Sequence, residues 1–460
     1  MGLFSFLDRS RTVAPLHYNR WLVPPAALAI HLCIGQIYAY SVFKLPMTKL
    51  IGIAEPGPED WQQKQIAWIF TIALFCLGAS AATFGKWMER VGPRKAMFAS
   101  ALCFSGGFFI SSIGVSLHEI WIVYLGHGVI GGIGLGLGYI SPVSTLIKWF
   151  PDRPGMATGL AIMGFGGGAM IASPLATWLM GLFRTASSVG VEETFLAMGC
   201  IYLCMMLFGM FAVRVPHPEW QPAGFEKGNA PAGKMITTGN VLADKAIRTP
   251  QFYLLFGVLL LNVSAGIGLL EHASVMVQEL FSKETVGDRW VSADAAAGFV
   301  GLLSLFNMAG RFIWSSTSDF IGRKLTYILF FSLGAILFFT LPFLGTGGHI
   351  GWFVAAAAFI MTMYGGGFAT IPAYLKDIFG VIQVGAIHGR LLLAWSLAAI
   401  VGPVVVNNLR ASQIEAGASA AETYPLIFMV LAGLLLAGFV CNIMVNTVNP
   451  IHHHQAEKGK

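Results

Sequence analysis

Apolar residues run along this chain in long blocks separated by short polar segments. Many blocks approach the roughly 20 residues that an α-helix needs to cross a bilayer. The pattern predicts twelve such helices, at residues 21–43, 65–84, 96–114, 120–147, 156–182, 194–213, 251–273, 292–316, 325–344, 351–373, 388–409 and 425–446. Three polar stretches frame them: an N-terminal arm (1–20), a linker (214–250) and a tail (447–460). The linker is rich in Pro and Gly and reads as loop with one short surface helix. This is an all-α integral membrane fold with six-helix bundles at 21–213 and 251–446.

Composition agrees with the pattern. The 460 residues are 56% hydrophobic and 11% charged, against about 25% charged in soluble domains. The net charge of +6 sits in short loops, so it does not point to nucleic acid. With the N-terminus in the cytoplasm, the inner segments hold 20 Lys and Arg and the outer loops 7, with Arg311 the last of the 28. That asymmetry places both termini in the cytoplasm. The first apolar run is too long for a cleavable signal and lacks a small-residue cleavage site. The six cysteines lie in apolar runs without a CxxC pair, as small core residues do. His452–His454 read as incidental histidines in a disordered tail. No metal or cofactor is expected.

The chain repeats itself. The segment after the second run places Gly85, Glu89, Arg90, Gly92 and Arg94 in the spacing that Ser315, Asp319, Gly322 and Arg323 take after the eighth. Glu89 and Asp319 are 230 residues apart, as are Pro142 and Pro372, and Gly159 and Gly389; Pro174 and Pro403 are 229 apart. Two pseudo-symmetric six-helix halves follow, the plan of many secondary carriers. The acid of each loop can accept from helix N-termini and pair with a cation, glycine permits a turn, and the basic residues hold the loop in the cytoplasm. The alternative is a positive anchor with no gating role. The spacing resembles the signature loop of the major facilitator superfamily, with Glu89 in place of the usual aspartate, Pro93 displacing the first basic residue and Ser315 in place of glycine.

Arg311 is the one charge in the apolar stretch 295–313. A cation at that depth costs a few kcal/mol, which a passing anion would offset. It lies eight residues before Asp319, about 12 Å along a helix at 1.5 Å per residue. A guanidinium grips a carboxylate through two parallel hydrogen bonds and stays charged at any relevant pH. Asn307, four residues earlier, shares its helix face. The alternative is a snorkelling or structurally paired arginine. Tyr139 and Tyr364, near the middles of their runs, offer an apolar wall and a hydroxyl donor each. Gln36, Tyr38 and Tyr40 in the first run and Trp395 in the eleventh are further wall candidates. Each of these is equally readable as core packing. Glu271 and His272 follow Ser264–Gly268, where the seventh helix is expected to bend; either is a candidate to carry a coupling proton, or simply a solvated group near the outer surface. His31 and His127 read as packing residues.

The stretches Lys148–Gly159, Gly164–Gly168 and Tyr364–Gly380, with Gly35–Ser41 and the pair Gly310-Arg311, resemble the oxalate/formate antiporter family, related to the monocarboxylate transporters. The resemblance implies passage of small organic carboxylates across a bacterial inner membrane, with the arginine of the eighth helix on the carboxylate and His272 matching a family histidine. Family members that carry oxalate add a second basic residue in the eleventh helix; here Trp395 stands there, which favours a monocarboxylate. Protons are candidate co-substrates, the lipid bilayer is the surrounding partner, and a monomer is expected to suffice. A polytopic enzyme is the competing class, but no metal-ligand spacing or paired intramembrane acids support it. A proton-driven drug exporter or neutral-solute carrier is the other alternative, and neither needs Arg311. The glycine run 126–138 lacks the strand and Lys-Ser of a phosphate loop and reads as close helix packing.

Overall fold

A computed structural model describes residues 5–222, 235–237 and 239–454. Among the described residues, twelve helices are long and apolar enough to cross a membrane: α1 Arg20–Ala39, α2 Gln63–Val91, α3 Pro93–Ser116, α4 Ile120–Trp149, α5 Pro154–Phe183 and α6 Val191–Ala212. The second six are α7 Pro250–Leu280, α8 Ala295–Ile321, α9 Arg323–Thr346, α10 Ile350–Phe379, α11 Val384–Glu415 and α12 Ala421–Met444. Among the described residues there is no strand, only an isolated bridge between Val13 and Val215 that ties the arm to the linker. The protein is a multi-pass membrane protein.

Several helices run past the expected ends. Gly85, Glu89 and Arg90, read from sequence as loop, form the last turns of α2, and Asp319 lies in the last turn of α8. What ends both helices is the next glycine. Gly92 and Gly322 each take a φ of 88°, open to glycine without the Cβ penalty other residues meet. Pro93, Pro154 and Pro250 then open helices at a position that needs no N–H.

Three spans are irregular where the sequence suggested plain helix. α1 tightens into a 3-10 turn at Gly35–Ala39, α4 carries a π-helical stretch at Tyr124–Ile130, and α11 breaks at Leu392 between Val384–Leu391 and Leu393–Glu415. The bend expected in the seventh helix is not realised as a break. α7 runs as one helix, and its glycines serve close approach instead: a Cβ on Gly266 would lie 2.0 Å from the Tyr364 ring.

The halves meet along two seams, α5 against α8 and α2 against α11. The seams are equivalent under the 230-residue repeat. In one, a Cβ on Gly155 would sit 2.1 Å from the Ser315 carbonyl oxygen, and one on Gly159 2.9 Å from that of Arg311. In the other, Gly85 approaches Ala386, and a Cβ on Gly389 would sit 2.2 Å from the Ala81 carbonyl oxygen. No methyl group fits at these crossings.

The linker's residues 223–234 and the tail's 455–460 lie outside the described residues. The expected surface helix of the linker is the single turn Ala243–Ala246. The tail histidines are not the free chain expected. His454 N–H donates to the Asn240 carbonyl at 2.6 Å, and the His453 ring packs on Gly239 and Thr237, because the extended linker offers unpaired backbone groups there.

Candidate functional site

Arg311 is fully buried. Its Nε donates to Asn307 Oδ1 at 3.2 Å and its Nη1 to the Ile162 carbonyl of α5 at 3.3 Å. Its Nη2 has no partner. Both partners are neutral, and among the described residues no carboxylate pairs with the guanidinium. The rings of Phe165 and Phe368 flank it, with centroids 5.7 and 5.2 Å from Cζ, a spacing at which the ring faces attract a cation.

Trp395 closes the cage. Its ring lies 5.3 Å from Phe165, 4.8 Å from Phe368 and 5.5 Å from Tyr139. Tyr38 packs edge-on to Phe165 at 5.2 Å, and Tyr364 to Phe368 at 5.3 Å. The Tyr38 hydroxyl faces both the Tyr364 hydroxyl and the Arg311 guanidinium, close to them but short of good hydrogen-bond geometry. The hydroxyls of Tyr38, Tyr139 and Tyr364 and the indole Nε1 of Trp395 are buried without a hydrogen-bond partner. Buried polar atoms are nearly always paired, and each such group costs about 1–3 kcal/mol if left so. Four orphaned donor groups around one cation form a pocket whose chemistry suits an anion's oxygens.

The structure therefore brings together Arg311, Asn307, Tyr38, Tyr139, Tyr364 and Trp395. Gln36 is buried with both amide atoms unpartnered, in the same 3-10 turn as Tyr38. Tyr40 belongs elsewhere: its ring lies on His127 at 4.8 Å and its hydroxyl donates to Met47 Sδ. His272 bonds Asn407 Oδ1 at 2.9 Å and faces the Gly268 carbonyl, while Glu271 is exposed. Both lie beyond Gly266, whose Cα meets Tyr364; His272 is about 9 Å further along the helix axis at 1.5 Å per residue. Phe165, Phe368 and the Ile162 carbonyl were not singled out by sequence. The 230-residue offset that links Phe165 to Trp395 was the one available signal.

Below the cage the two acids of the repeated motif work alike. Glu89 accepts from Lys148 Nζ at 2.7 Å and from the N–H of Gly385, at the start of α11, at 3.2 Å. Asp319 accepts from the N–H groups of Gly155 and Met156, at the start of α5, at 2.9 and 2.8 Å, and from Arg323 at 2.5 Å. Each acid thus caps a helix of the opposite half, where the helix dipole favours negative charge. Arg323 also reaches Asp377 at 3.0 Å. Arg94 instead donates to the Phe6 and Phe211 carbonyls, holding the arm rather than the other half. Arg90 lines an adjoining cleft of about 910 Å³. A third tie is Asp244 of the linker, which accepts from Lys86 of one half and from Arg390 of the other, the latter at 2.6 Å. Those two cations hold its carboxyl below the usual 3.8. With these contacts made, the motif-bearing face is closed.

The description of the Major Facilitator Superfamily matches residues 26–403. The chain is 26% identical over 390 residues to the oxalate:formate antiporter of Oxalobacter formigenes, covering 84% of this chain and 83% of that one. It is 25% identical over 408 residues to the MFS-type transporter YhjX of Escherichia coli, covering 84% and 88%, and 24% identical over 428 residues to human monocarboxylate transporter 11, covering 91% and 81%. Among solved structures, the E. coli fucose:proton symporter FucP superposes with a TM-score of 0.65 at 12% identity, covering 94% of this chain and all of that one.

Proposed function

Because the chain belongs to the Major Facilitator Superfamily and is a membrane transporter rather than an enzyme, we propose that it carries small organic monocarboxylates, of the size of formate, lactate or pyruvate, by alternating access. The observation that carries the reading is Arg311: a buried cation without an acid partner, ringed by hydroxyl and indole donors that lack acceptors. A carboxylate supplies both the missing charge and the missing acceptors. A neutral solute would leave the charge uncompensated, and a cationic drug would be repelled. The names of the relatives support the same substrate class.

In this reading Arg311 takes the carboxylate, Asn307 orients the guanidinium, Tyr38, Tyr139, Tyr364 and Trp395 donate around it, and Gln36 completes the wall. The halves 21–213 and 251–446 rock about the site, with Glu89, Asp319 and their partners latching the basic face. That face is read as cytoplasmic from its excess of Lys and Arg, with both termini in the cytoplasm and the helices in a bacterial inner membrane. The cycle is exchange or proton symport.

The test is uptake of radiolabelled formate, lactate and pyruvate into proteoliposomes holding the purified protein. Saturable uptake, trapped in the vesicle and chemically unchanged, is expected for at least one. A thermal-shift screen across formate, acetate, lactate, pyruvate and oxalate supplies the binding arm, since a ligand of the folded state stabilises it. No uptake and no stabilisation by any carboxylate overturns the reading.

A further inference from the structure

His31 is fully buried in α1, and both of its ring nitrogens face backbone carbonyls. Nδ1 lies 2.5 Å from the Ala161 oxygen of α5, and Nε2 3.0 Å from the Tyr139 oxygen of α4. A carbonyl oxygen only accepts. A neutral imidazole has one N–H and one lone pair, so in either tautomer one nitrogen would point its lone pair at a carbonyl lone pair. An imidazolium donates to both. The nest is built for that form: Pro142 has no N–H, so the Gly138 carbonyl one turn before it is freed from the helix ladder, and it too faces the ring.

From this geometry we propose that His31 is a proton-binding site coupled to the carboxylate at Arg311, so that one proton and one monocarboxylate cross together. This rests on the carboxylate reading above. The titratable groups around His31 are Tyr139 of α4, its ring 5.3 Å away, Arg311 of α8 and His388 of α11; α5 faces it with backbone at Ala161 and with Gly164. None of these is an acid. Two cations, His31 and Arg311, repel each other in a low-dielectric interior, and a carboxylate on Arg311 lifts that repulsion. Anion binding and proton binding therefore favour each other, and the coupling is reciprocal. The charge balances: Arg311 alone is +1, and Arg311 with one carboxylate and a protonated His31 is again +1. The proton comes from the side that supplies the anion and leaves with it, so transport is electroneutral. The carbonyls around His31 are thus already in place in the closed cage for the proton that arrives with the anion.

The experiment is calorimetric binding of a monocarboxylate to the wild-type protein at pH 7 in two buffers of different ionisation enthalpy, which counts protons taken up per anion bound. About one is expected. His31→Gln should still bind the carboxylate and exchange it across vesicles, with proton uptake lost and accumulation driven by a pH gradient reduced at least tenfold. If His31→Gln does not fold, His31→Asn takes its place, and ring ¹⁵N shifts of histidine-labelled wild-type protein read the imidazole directly: both nitrogens protonated with carboxylate bound. Binding without proton uptake between pH 5.5 and 8, undiminished uptake in the His31 variants, or a neutral ring in the bound state overturns the inference and leaves the carboxylate reading standing. No carboxylate binding by the wild type overturns both.

Discussion

Phe165 and Trp395 stand at equivalent positions of the two halves, 230 residues apart, and their rings meet 5.3 Å apart between centroids. The duplication has placed one aromatic from each half against its own counterpart, beside the guanidinium of Arg311. The contact lies where the halves face each other, so the ring that walls the site also helps to close it.

Trp395→Phe keeps a ring in that contact and removes one orphaned donor. Carboxylate affinity should fall by about 2–10-fold, the worth of one hydrogen bond, with thermal stability nearly unchanged. Trp395→Ala should cost about 3–5 kcal/mol of stability. Isothermal titration and thermal melts separate the two, and an unchanged affinity in Trp395→Phe would remove the indole from the site.

Arg311→Lys retains the charge and loses the planar fork. Uptake of monocarboxylate should drop by roughly 10–100-fold, as expected for about 1.5–3 kcal/mol of charged hydrogen bonding. Detergent-extracted protein should elute as the wild type does. Normal uptake by the lysine variant would count against a bound carboxylate at this residue.

Arg311 is the one deep cation of the eighth and eleventh spans, since Arg390 is engaged by Asp244 and Arg410 by Glu279. The N–H groups of a protonated His31 are held by the Ala161 and Tyr139 carbonyls. The second carboxylate of a dianion therefore finds no free cation to grip and gains little over a monoanion. In competition against labelled monocarboxylate at pH 7, oxalate should be the weaker competitor. Equal or better competition by oxalate would show that a second cation reaches the cage.

Gly389→Ala places a methyl where the Ala81 carbonyl oxygen now stands 2.2 Å away. The basic face should then fail to close, at a cost of about 1–3 kcal/mol for overpacking. Limited proteolysis of the linker, which Asp244 ties to Lys86 and Arg390 across this seam, should be faster than in the wild type. Wild-type cleavage rates in the alanine variant would mean the seam tolerates the methyl.

The Asp244 tie should withstand mild acid. Its carboxyl is held below 3.8 by Lys86 and Arg390, so the stabilisation is present above 3.8 and is lost only as pH falls through the lower folded value. Between pH 8 and 5, proteolysis of the linker should not vary through this group. Asp244→Asn should raise cleavage at every pH in that range, and added salt should do the same to the parent, because the pair is half exposed.

The fold was legible because a bilayer leaves a coarse mark: twenty apolar residues at a time, cut by loops rich in Lys and Arg. The ends were not, because Gly85–Arg90 looks like loop by composition yet is helix until Gly92 stops it. Arg311 was legible as charge where charge is expensive, and Asn307, Tyr139, Tyr364 and Trp395 as polar or large groups near it in register. Phe165 and Phe368 were not, since a phenylalanine in an apolar run carries no compositional signal. His31 was visible but its surroundings were not, because what distinguishes it is two backbone carbonyls from other spans. Ser264–Gly268 suggested a bend, and its glycines turned out to make room for Tyr364 and neighbouring spans.

Ala81 holds in the first half the place that Arg311 holds in the second. The duplicated halves are therefore unequal partners. The positive charge belongs to one of them, and the Ile162 carbonyl with the hydroxyls of Tyr38 and Tyr139 belongs to the other. Parting the halves in either direction takes the cation away from part of what surrounds it. A carrier divided in this way must loosen its grip whenever it opens, so release needs no separate trigger.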